Sequence, residues 1–468
     1  MTISTTSAGD ALRDAEPRPY WTDRPGAPDP APPLVGRATC DLLVVGGGFT
    51  GLWAAIEARI ADPSCDVLLV DAERIAFGAT GRNGGFISES LTHGLAHGIS
   101  LWPDEMPDLL RLGRENLSEM AAFVAAEGID ADLRLCGKTA VATAPHHLAA
   151  LEESAELNRR FGEDVSLLDG AQMRDEVHSP TYLGGMRHRT GGGLVDPAAL
   201  AWGLLRAAVA RGVRIHEGTS VRSMRRHDGV VEAATEHGSV RARQVLLATN
   251  AYPPLLRRLR TRILPIYDHV LVTEPLDAAL RASLGWREAQ GMTDVGNQFH
   301  YYRLTADDRV LWGGYDAIYY FGSKTDAARE QRDESHTLLA RQFFQTFPQL
   351  EGTRFTHRWA GLIDSTSRFT PVFGTALDGR VAYAVGYTGL GVGASRFGAR
   401  VGLDLLAGRE TERTRLELVR RKPVPFPPEP LRYPIVQATR SALAREDETG
   451  RRGAYLRTLD RFGIGFNS

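Results

Sequence analysis

The run Asp41-Leu42-Leu43-Val44-Val45-Gly46-Gly47-Gly48-Phe49-Thr50-Gly51 constrains this chain more than any other feature. Its apolar part predicts a buried strand, and Leu52 to Ile60 has the amphipathic spacing of a helix, with glycines at G-x-G-x-x-G spacing between them. A second apolar run, Val67 to Val70, ends at Asp71, about twenty residues beyond Gly51. Strand, glycine turn, helix, strand and terminal carboxylate, in that order, make a dinucleotide site. Gly46 permits the tight turn, Gly48 has no Cβ to obstruct a pyrophosphate, and Gly51 lets the helix approach the strand. Unpaired N–H groups at the helix start would face the anion, and Asp71 would accept hydrogen bonds from ribose hydroxyls.

A length of 468 residues exceeds one simple core, so two domains or one elaborated domain are expected. Apolar content of 43% and charged content of 24% are ordinary for a globular chain. A net charge of −2 provides no field for nucleic acid or an anionic membrane. Lys138, Lys324 and Lys422 are the only lysines, which leaves few candidates for a catalytic lysine. Cys40, Cys65 and Cys136 form neither a disulfide framework nor a metal spacing, which predicts a reducing compartment. Met1 to Pro19 has no apolar core of a signal peptide, and no apolar run is long enough to span a bilayer, so a cytoplasmic enzyme is expected. His93, His97 and His146-His147 have no metal-ligand spacing with carboxylates, so no metal is expected and they read as structural.

Helices are predicted at about 104–127, 145–161, 198–211 and 326–346, and strands at 213–216, 220–224, 244–249, 270–273, 301–303, 309–312 and 381–385. Strands alternating with helices indicate an α/β fold with a parallel sheet. The expected organisation is an arm over 1–37, a discontinuous Rossmann-like cofactor domain over 38–95, 190–260 and 355–410, a sheet-bearing substrate domain over 96–189 and 261–354, and a tail over 411–468.

Glycine-rich turns recur far apart, at 46–51, 78–85 and 386–393, whereas a nicotinamide site usually finishes in one continuous block. The third turn follows a buried strand and opens a helix, and such a helix start stabilises negative charge. A reduced flavin gains that charge at its N1–C2=O edge, so the combination favours FAD.

These motifs carry a resemblance. The runs Cys40 to Leu52, Phe77 to Gly85, Tyr301 to Asp307, Thr346 to Leu350, Arg358 to Gly361 and Gly386 to Gly393 resemble the FAD-dependent D-amino-acid oxidase, glycine oxidase and sarcosine oxidase family, most of all its gamma-glutamylputrescine oxidase branch. The resemblance implies FAD in an extended cleft with its ring between two domains. It places Gly46, Gly48, Phe49, Thr50 and Gly51 at the pyrophosphate, Asp71 and Ala72 at the adenosine ribose, and Val221 at adenine. It places Thr80, Asn83, Gly84, Gly85 and Phe86 beside the pyrophosphate and ring, and Gly389, Leu390, Gly391 and Val392 at the pyrimidine edge. Members with covalent flavin carry a cysteine after the segment that here spans 358–373, and this chain has none there, so noncovalent FAD is expected. None of its lysines matches the one that assists oxygen in sarcosine oxidases, and Ile363 stands where glycine oxidase-like members clamp a carboxylate with arginine.

Flavin-dependent amine oxidation needs a neutral amine with its α-C–H aimed at N5. His269 is a candidate base, with a core histidine as the alternative. Tyr301 and Tyr302 alternate on a strand, so only one can face the ring; Tyr302 is taken as the catalytic candidate. Trp359 is expected to wall the cavity, and Asp364 to be a solvated loop acid rather than a partner for a substrate ammonium. The expected function is oxidation of a polyamine, a gamma-glutamyl-polyamine or a related small amine to an imine, with O2 or another electron acceptor and no nucleic acid or membrane partner. The alternatives are an amino-acid or N-methyl-amino-acid oxidase, in which Arg303 or Arg368 grips a carboxylate, and a non-catalytic flavoprotein subunit.

Overall fold

A computed structural model describes residues 5–465. The first four residues of the predicted arm and the last three of the tail lie outside the described residues. Two large sheets organise the chain. In the first, Gly36–Val45 lies between Gly238–Leu247 and Val67–Val70, parallel to both, and Arg214–His216 extends the sheet beyond Val67–Val70. Leu43, Val44, Leu68 and Leu69 are fully buried, as strands covered on both faces must be. The helix Phe49–Ala61 covers one face, where Trp53 and Ile56 are fully enclosed; each such side chain contributes roughly 1.5–3 kcal/mol. Val381–Val385 joins parallel to Gly238–Leu247, and Val372–Ala376 then pairs antiparallel to it, so the sheet is mixed rather than purely parallel.

The second sheet has the order Phe355–Ser365, Leu264–Thr273, Val310–Gly314, His300–Leu304, Gly291–Asp294, Lys138–Ala142, Gly184–His188, Val165–Asp169. Phe355–Ser365 pairs along its length with Leu264–Thr273, although the sequence expectation put 355–410 in the first unit. That pairing joins segments about ninety residues apart, which no local pattern encodes.

The arm is anchored. Trp21 is buried and its Nε1 donates to the Asn83 carbonyl at 2.8 Å, while the Tyr20 hydroxyl donates to Asp307 at 2.6 Å. The tail is more than a tail: Arg432–Thr449 and Ala454–Arg461 are helices. Asp447 accepts from the Asn297 backbone N–H, the Asn297 Nδ2 and the Gln298 N–H, each at 2.8 Å, and so ties the longer helix to the second sheet. Among the described residues no helix is long and apolar enough to cross a membrane, and no group of His, Cys, Asp or Glu is arranged to hold a metal ion.

Candidate cofactor and substrate cleft

A cavity of about 1590 Å³ runs from the first glycine turn to the face of the second sheet. At one end Gly46 has φ +112°, and a Cβ there would sit 2.4 Å from the Ala248 carbonyl oxygen. A Cβ on Gly51 would come to 1.8 Å from the Gly46 oxygen, so Gly51 lets the helix start touch the turn and does not itself line the cavity. Gly48 caps the helix with no side-chain hydrogen bond, and a Cβ on it would come to 2.9 Å from Thr80 Oγ1, which accepts the Phe49 N–H at 3.0 Å. Asp71 Oδ2 accepts the Gly47 N–H at 2.5 Å and Oδ1 accepts the Glu73 N–H at 2.8 Å. Burial pushes its pKa up to about 6, against the pull of these two N–H groups.

Gly46, Gly48, Phe49, Thr50, Asp71, Ala72, Thr80, Asn83, Gly84, Phe86 and Val221 all line this cavity, as do Gly389, Leu390, Gly391 and Val392. Gly85 does not: its φ is +74° and its absent Cβ faces the Val195 carbonyl oxygen, so it shapes the loop from behind. In the third turn Gly386, Thr388 and Gly389 have φ of +82°, +51° and +94°. The helix Gly391–Leu406 begins there without a side-chain cap, so its N-terminal N–H groups face the cavity. A glycine-lined helix start, a carboxylate beyond the second strand and a second helix start at the far end form a donor set that fits FAD.

Asp364 corrects an expectation. It is buried rather than a solvated loop acid, and it accepts the Gly386 N–H, which holds the third turn in place. Burial pushes its pKa up to about 7.

The three catalytic candidates also fall away from the cavity. Along Leu264–Thr273 the cavity is lined by Leu264, Ile266 and Asp268, so strand alternation turns His269 to the opposite face. There His269 is fully buried with its ring 5.1 Å from that of His336, and burial pushes its pKa down to about 4. Alternation also selects Tyr301 over Tyr302. The Tyr302 ring packs on Trp312 and its hydroxyl meets that of Tyr182 at 2.7 Å, inside the aromatic core. Trp359 is fully buried, and its Nε1 donates to the Arg82 carbonyl at 2.9 Å, bracing the loop from below.

Two residues not singled out as site residues face the cavity instead. Asp268 lines the cavity and accepts a hydrogen bond from the Tyr301 hydroxyl. Burial pushes the Asp268 pKa up to about 7, against the lowering effect of that hydrogen bond. Lys138, on the same sheet, also lines the cavity. The available signal was the period of two: once one member of Asp268-His269 or Tyr301-Tyr302 faces the cavity, its neighbour cannot. Neither arginine proposed to grip a carboxylate is available. Arg303 donates to the Val195 carbonyl at 2.7 Å and the Gly85 carbonyl at 3.1 Å. Arg368 donates to the carbonyls of Arg421, Leu418 and Pro371 at 2.6, 2.7 and 2.9 Å.

Residues 41–405 match the family described as FAD dependent oxidoreductase. The gamma-glutamylputrescine oxidoreductase of Escherichia coli (strain K12) is 34% identical over 378 residues, covering 79% of this chain and 84% of that protein. The sarcosine oxidase subunit beta of Rhizobium meliloti (strain 1021) is 25% identical over 365 residues, covering 75% of this chain and 79% of its own. Among solved structures, glycine oxidase from Geobacillus kaustophilus superposes with a TM-score of 0.67 at 20% identity, over 80% of this chain and 96% of that one, which establishes the shared fold. Glycine cradle, second helix start and matched sequence agree: the chain belongs to the FAD-dependent oxidoreductase family.

Proposed function

We propose that this enzyme oxidises an alkylamine of the polyamine type, converting the C–N bond to an imine that water hydrolyses to an aldehyde and an amine. The observation that carries this reading is the Asp268–Tyr301 pair, placed in the cavity that also contains the glycine cradle. An amine arrives as an ammonium ion and must lose a proton before it can be oxidised. Asp268 is the group that accepts this proton: with a pKa near 7 it is about half ionised at neutral pH, ionised above it, and basic enough to act. Tyr301 holds the carboxylate by its hydroxyl hydrogen bond, and Phe86, Tyr301 and Tyr315 wall the amine from water. Bound FAD supplies the two-electron acceptor. Asp71, Gly48 and Thr80 would hold its ribose and pyrophosphate, and the N–H groups opening Gly391–Leu406 would stabilise negative charge at the ring edge.

The similarity to a gamma-glutamylputrescine oxidoreductase supports a polyamine-type substrate. The occupied guanidinium groups of Arg303 and Arg368 weigh against an α-amino acid. The test is anaerobic mixing of the yellow holoprotein with a panel of diamines, acylated diamines, monoamines and amino acids. Bleaching at 450 nm by the diamine group supports the reading; bleaching only by α-amino acids overturns it. A flavin that no amine reduces points to a non-catalytic subunit. Re-oxidation of the bleached protein by air, compared with that by an artificial acceptor, separates an oxidase from a dehydrogenase.

A further inference from the structure

A distortion of the second sheet lies directly beside Asp268. Val270 pairs with Gly313 and Tyr267 bridges to Ile318, so two residues, Asp268 and His269, stand opposite the four of 314–317. The surplus makes a bulge, a device that re-aims side chains next to a site. Gly314 there has φ +106° and Tyr315 φ +64°, a left-handed conformation that a tyrosine rarely adopts. Gly314, Tyr315 and Ala317 line the cavity, while Asp316 is buried.

The C-terminal helices grip this bulge. Asp316 Oδ2 accepts from Ser335 Oγ at 2.6 Å and from Arg332 Nη1 at 2.9 Å, and its Oδ1 accepts from Arg440 of the helix Arg432–Thr449. At the start of that helix Arg432 Nη1 donates to Ser323 Oγ at 2.9 Å. The Thr439 and Tyr455 hydroxyls, 2.9 Å apart, join it to the helix Ala454–Arg461. On the side of the third glycine turn, the Phe426 N–H donates to the Thr261 carbonyl at 2.6 Å and the Gly465 N–H to the Ser367 carbonyl at 3.1 Å. The tail is thus tied down at both the bulge and the third turn, with cavity between the ties.

The surface it turns to that cavity is mainly hydrocarbon. Val436 and Leu443 lie two turns apart on one face of the longer helix with Arg440 between them, and Leu456 and Leu459 come from the shorter one. The charge of Arg440 is answered by Asp316. Both helices lie beyond residue 405, where the family match ends, so this wall is not part of the matched fold.

We infer that the helical pair is the roof of the amine subsite and determines specificity: the alkyl body of the substrate, leading from Asp268 past Tyr315, lies against Val436 and Leu443, which limit its bulk and require it to be apolar there. This rests on the proposed amine oxidation, in which Asp268 receives the nitrogen. Arg440 is a positioning residue that latches the roof to the bulge.

Two probe pairs test it in the full-length holoprotein. The first is ethylguanidinium and hexylguanidinium, cations that pair with a carboxylate but are not oxidised, titrated calorimetrically so that binding does not depend on turnover. In wild type the hexyl form should bind more tightly, by up to about fourfold per added methylene that reaches the roof. Val436→Trp, which fills the space, should lower the hexyl-to-ethyl affinity ratio tenfold or more. Leu443→Asn, which keeps the shape and loses the apolar surface, should lower it about fivefold. Val436→Thr serves if the tryptophan variant does not fold. Arg440→Met should also lower the ratio, and Arg440→Lys should restore most of it. The second pair is ethylamine and hexylamine as substrates, in which the same variants should raise the KM of hexylamine relative to that of ethylamine with kcat little changed. A merely structural change would move both members of each pair alike. Ratios that stay at the wild-type value in both Val436→Trp and Leu443→Asn overturn the roof, and amine-dependent bleaching of the flavin would then leave the amine-oxidising reading standing. If no amine reduces the flavin while the guanidinium ratio still depends on Val436 and Leu443, the roof stands and the amine-oxidising reading fails.

Discussion

Tyr301 and Asp268 lie on strands that are not neighbours, yet the phenol hydroxyl donates to the carboxylate across the intervening strand Val310–Gly314. Gly313 makes this possible. It lies beside Tyr301 in the register, and a Cβ on it would stand 2.7 Å from the tyrosine Cζ and hydroxyl oxygen. The ring crosses the sheet where there is no side chain to block it.

The bond has a consequence for pH dependence. Burial raises the Asp268 pKa to about 7, and the Tyr301 hydrogen bond opposes that rise. Removing the hydroxyl removes the opposition, so in Tyr301→Phe the carboxyl holds its proton to higher pH. The acid limb of the kcat/KM profile, near 7 in wild type, should move upward, with activity at pH 7 falling several-fold and recovering as pH rises. Gly313→Ala, which pushes the ring away from Asp268, should shift the limb in the same direction. An unmoved limb in both variants would exclude Asp268 as the group that takes the proton.

At the other end of the cleft, Asp71→Ala should weaken FAD binding about 10- to 100-fold, the equivalent of roughly 1.5–3 kcal/mol for hydrogen bonds to a charged acceptor. Titration of apoprotein with FAD measures it. An unchanged affinity would move the ribose contact to Glu73, which also lines the cavity.

None of the three cysteines lines the cavity, and all three are free thiols. Acid precipitation of the holoprotein should therefore leave the yellow colour in the supernatant. Colour retained in the pellet would show a covalent bond.

Gly51→Ala puts a methyl group 1.8 Å from the Gly46 carbonyl oxygen, a contact that only displacement of the helix Phe49–Ala61 can relieve. Overpacking of this kind costs about 1–3 kcal/mol or more. The variant should purify with little flavin and a lowered Tm. Normal FAD content and an unchanged Tm would mean that the turn tolerates the shift.

The cofactor half of this molecule was legible in its sequence because a dinucleotide site is built from contiguous residues. Gly46, Gly48, Gly51 and Asp71 fall within one strand–helix–strand unit, and each spacing has a steric or hydrogen-bonding reason. The substrate half was not legible in the same way. Asp268, Tyr301 and Lys138 come from three separate strands, and which of Asp268 or His269 faces the cavity depends on how those strands pair across the sheet. Histidine is the more familiar base, and that chemical prior chose the wrong face of the strand. Asp364 misled for a related reason: an acid before a Ser-Thr-Ser loop looks solvated until the third glycine turn folds over it. The tail gave no signal because the polar sequence of Arg432–Thr449 is held by Asp447 and its neighbours rather than by a broad apolar stripe.

The last expectation concerns selectivity at the oxidised carbon. An α-amino acid needs a cation beside its carboxylate, about one bond from the reacting centre, and arginine meets that need by bidentate pairing. Arg303 and Arg368 have their donors committed to backbone carbonyls, and Ile363, which lines the cavity, offers no charge. Lys138 stands too far along the sheet to serve. Amines without an α-carboxylate should therefore reduce the flavin at least tenfold faster than amino acids of the same chain length, measured by stopped-flow absorbance in matched pairs such as pentylamine and norleucine. Arg303→Met and Arg368→Met should lower Tm, because each strands backbone carbonyls that the guanidinium now satisfies, at about 1–3 kcal/mol per buried group. In whatever fraction folds with FAD bound, the ratio between the matched pair should stay as in wild type. If the amino acid wins in wild type and loses its advantage in either variant, that arginine is the carboxylate partner and the enzyme is an amino-acid oxidase.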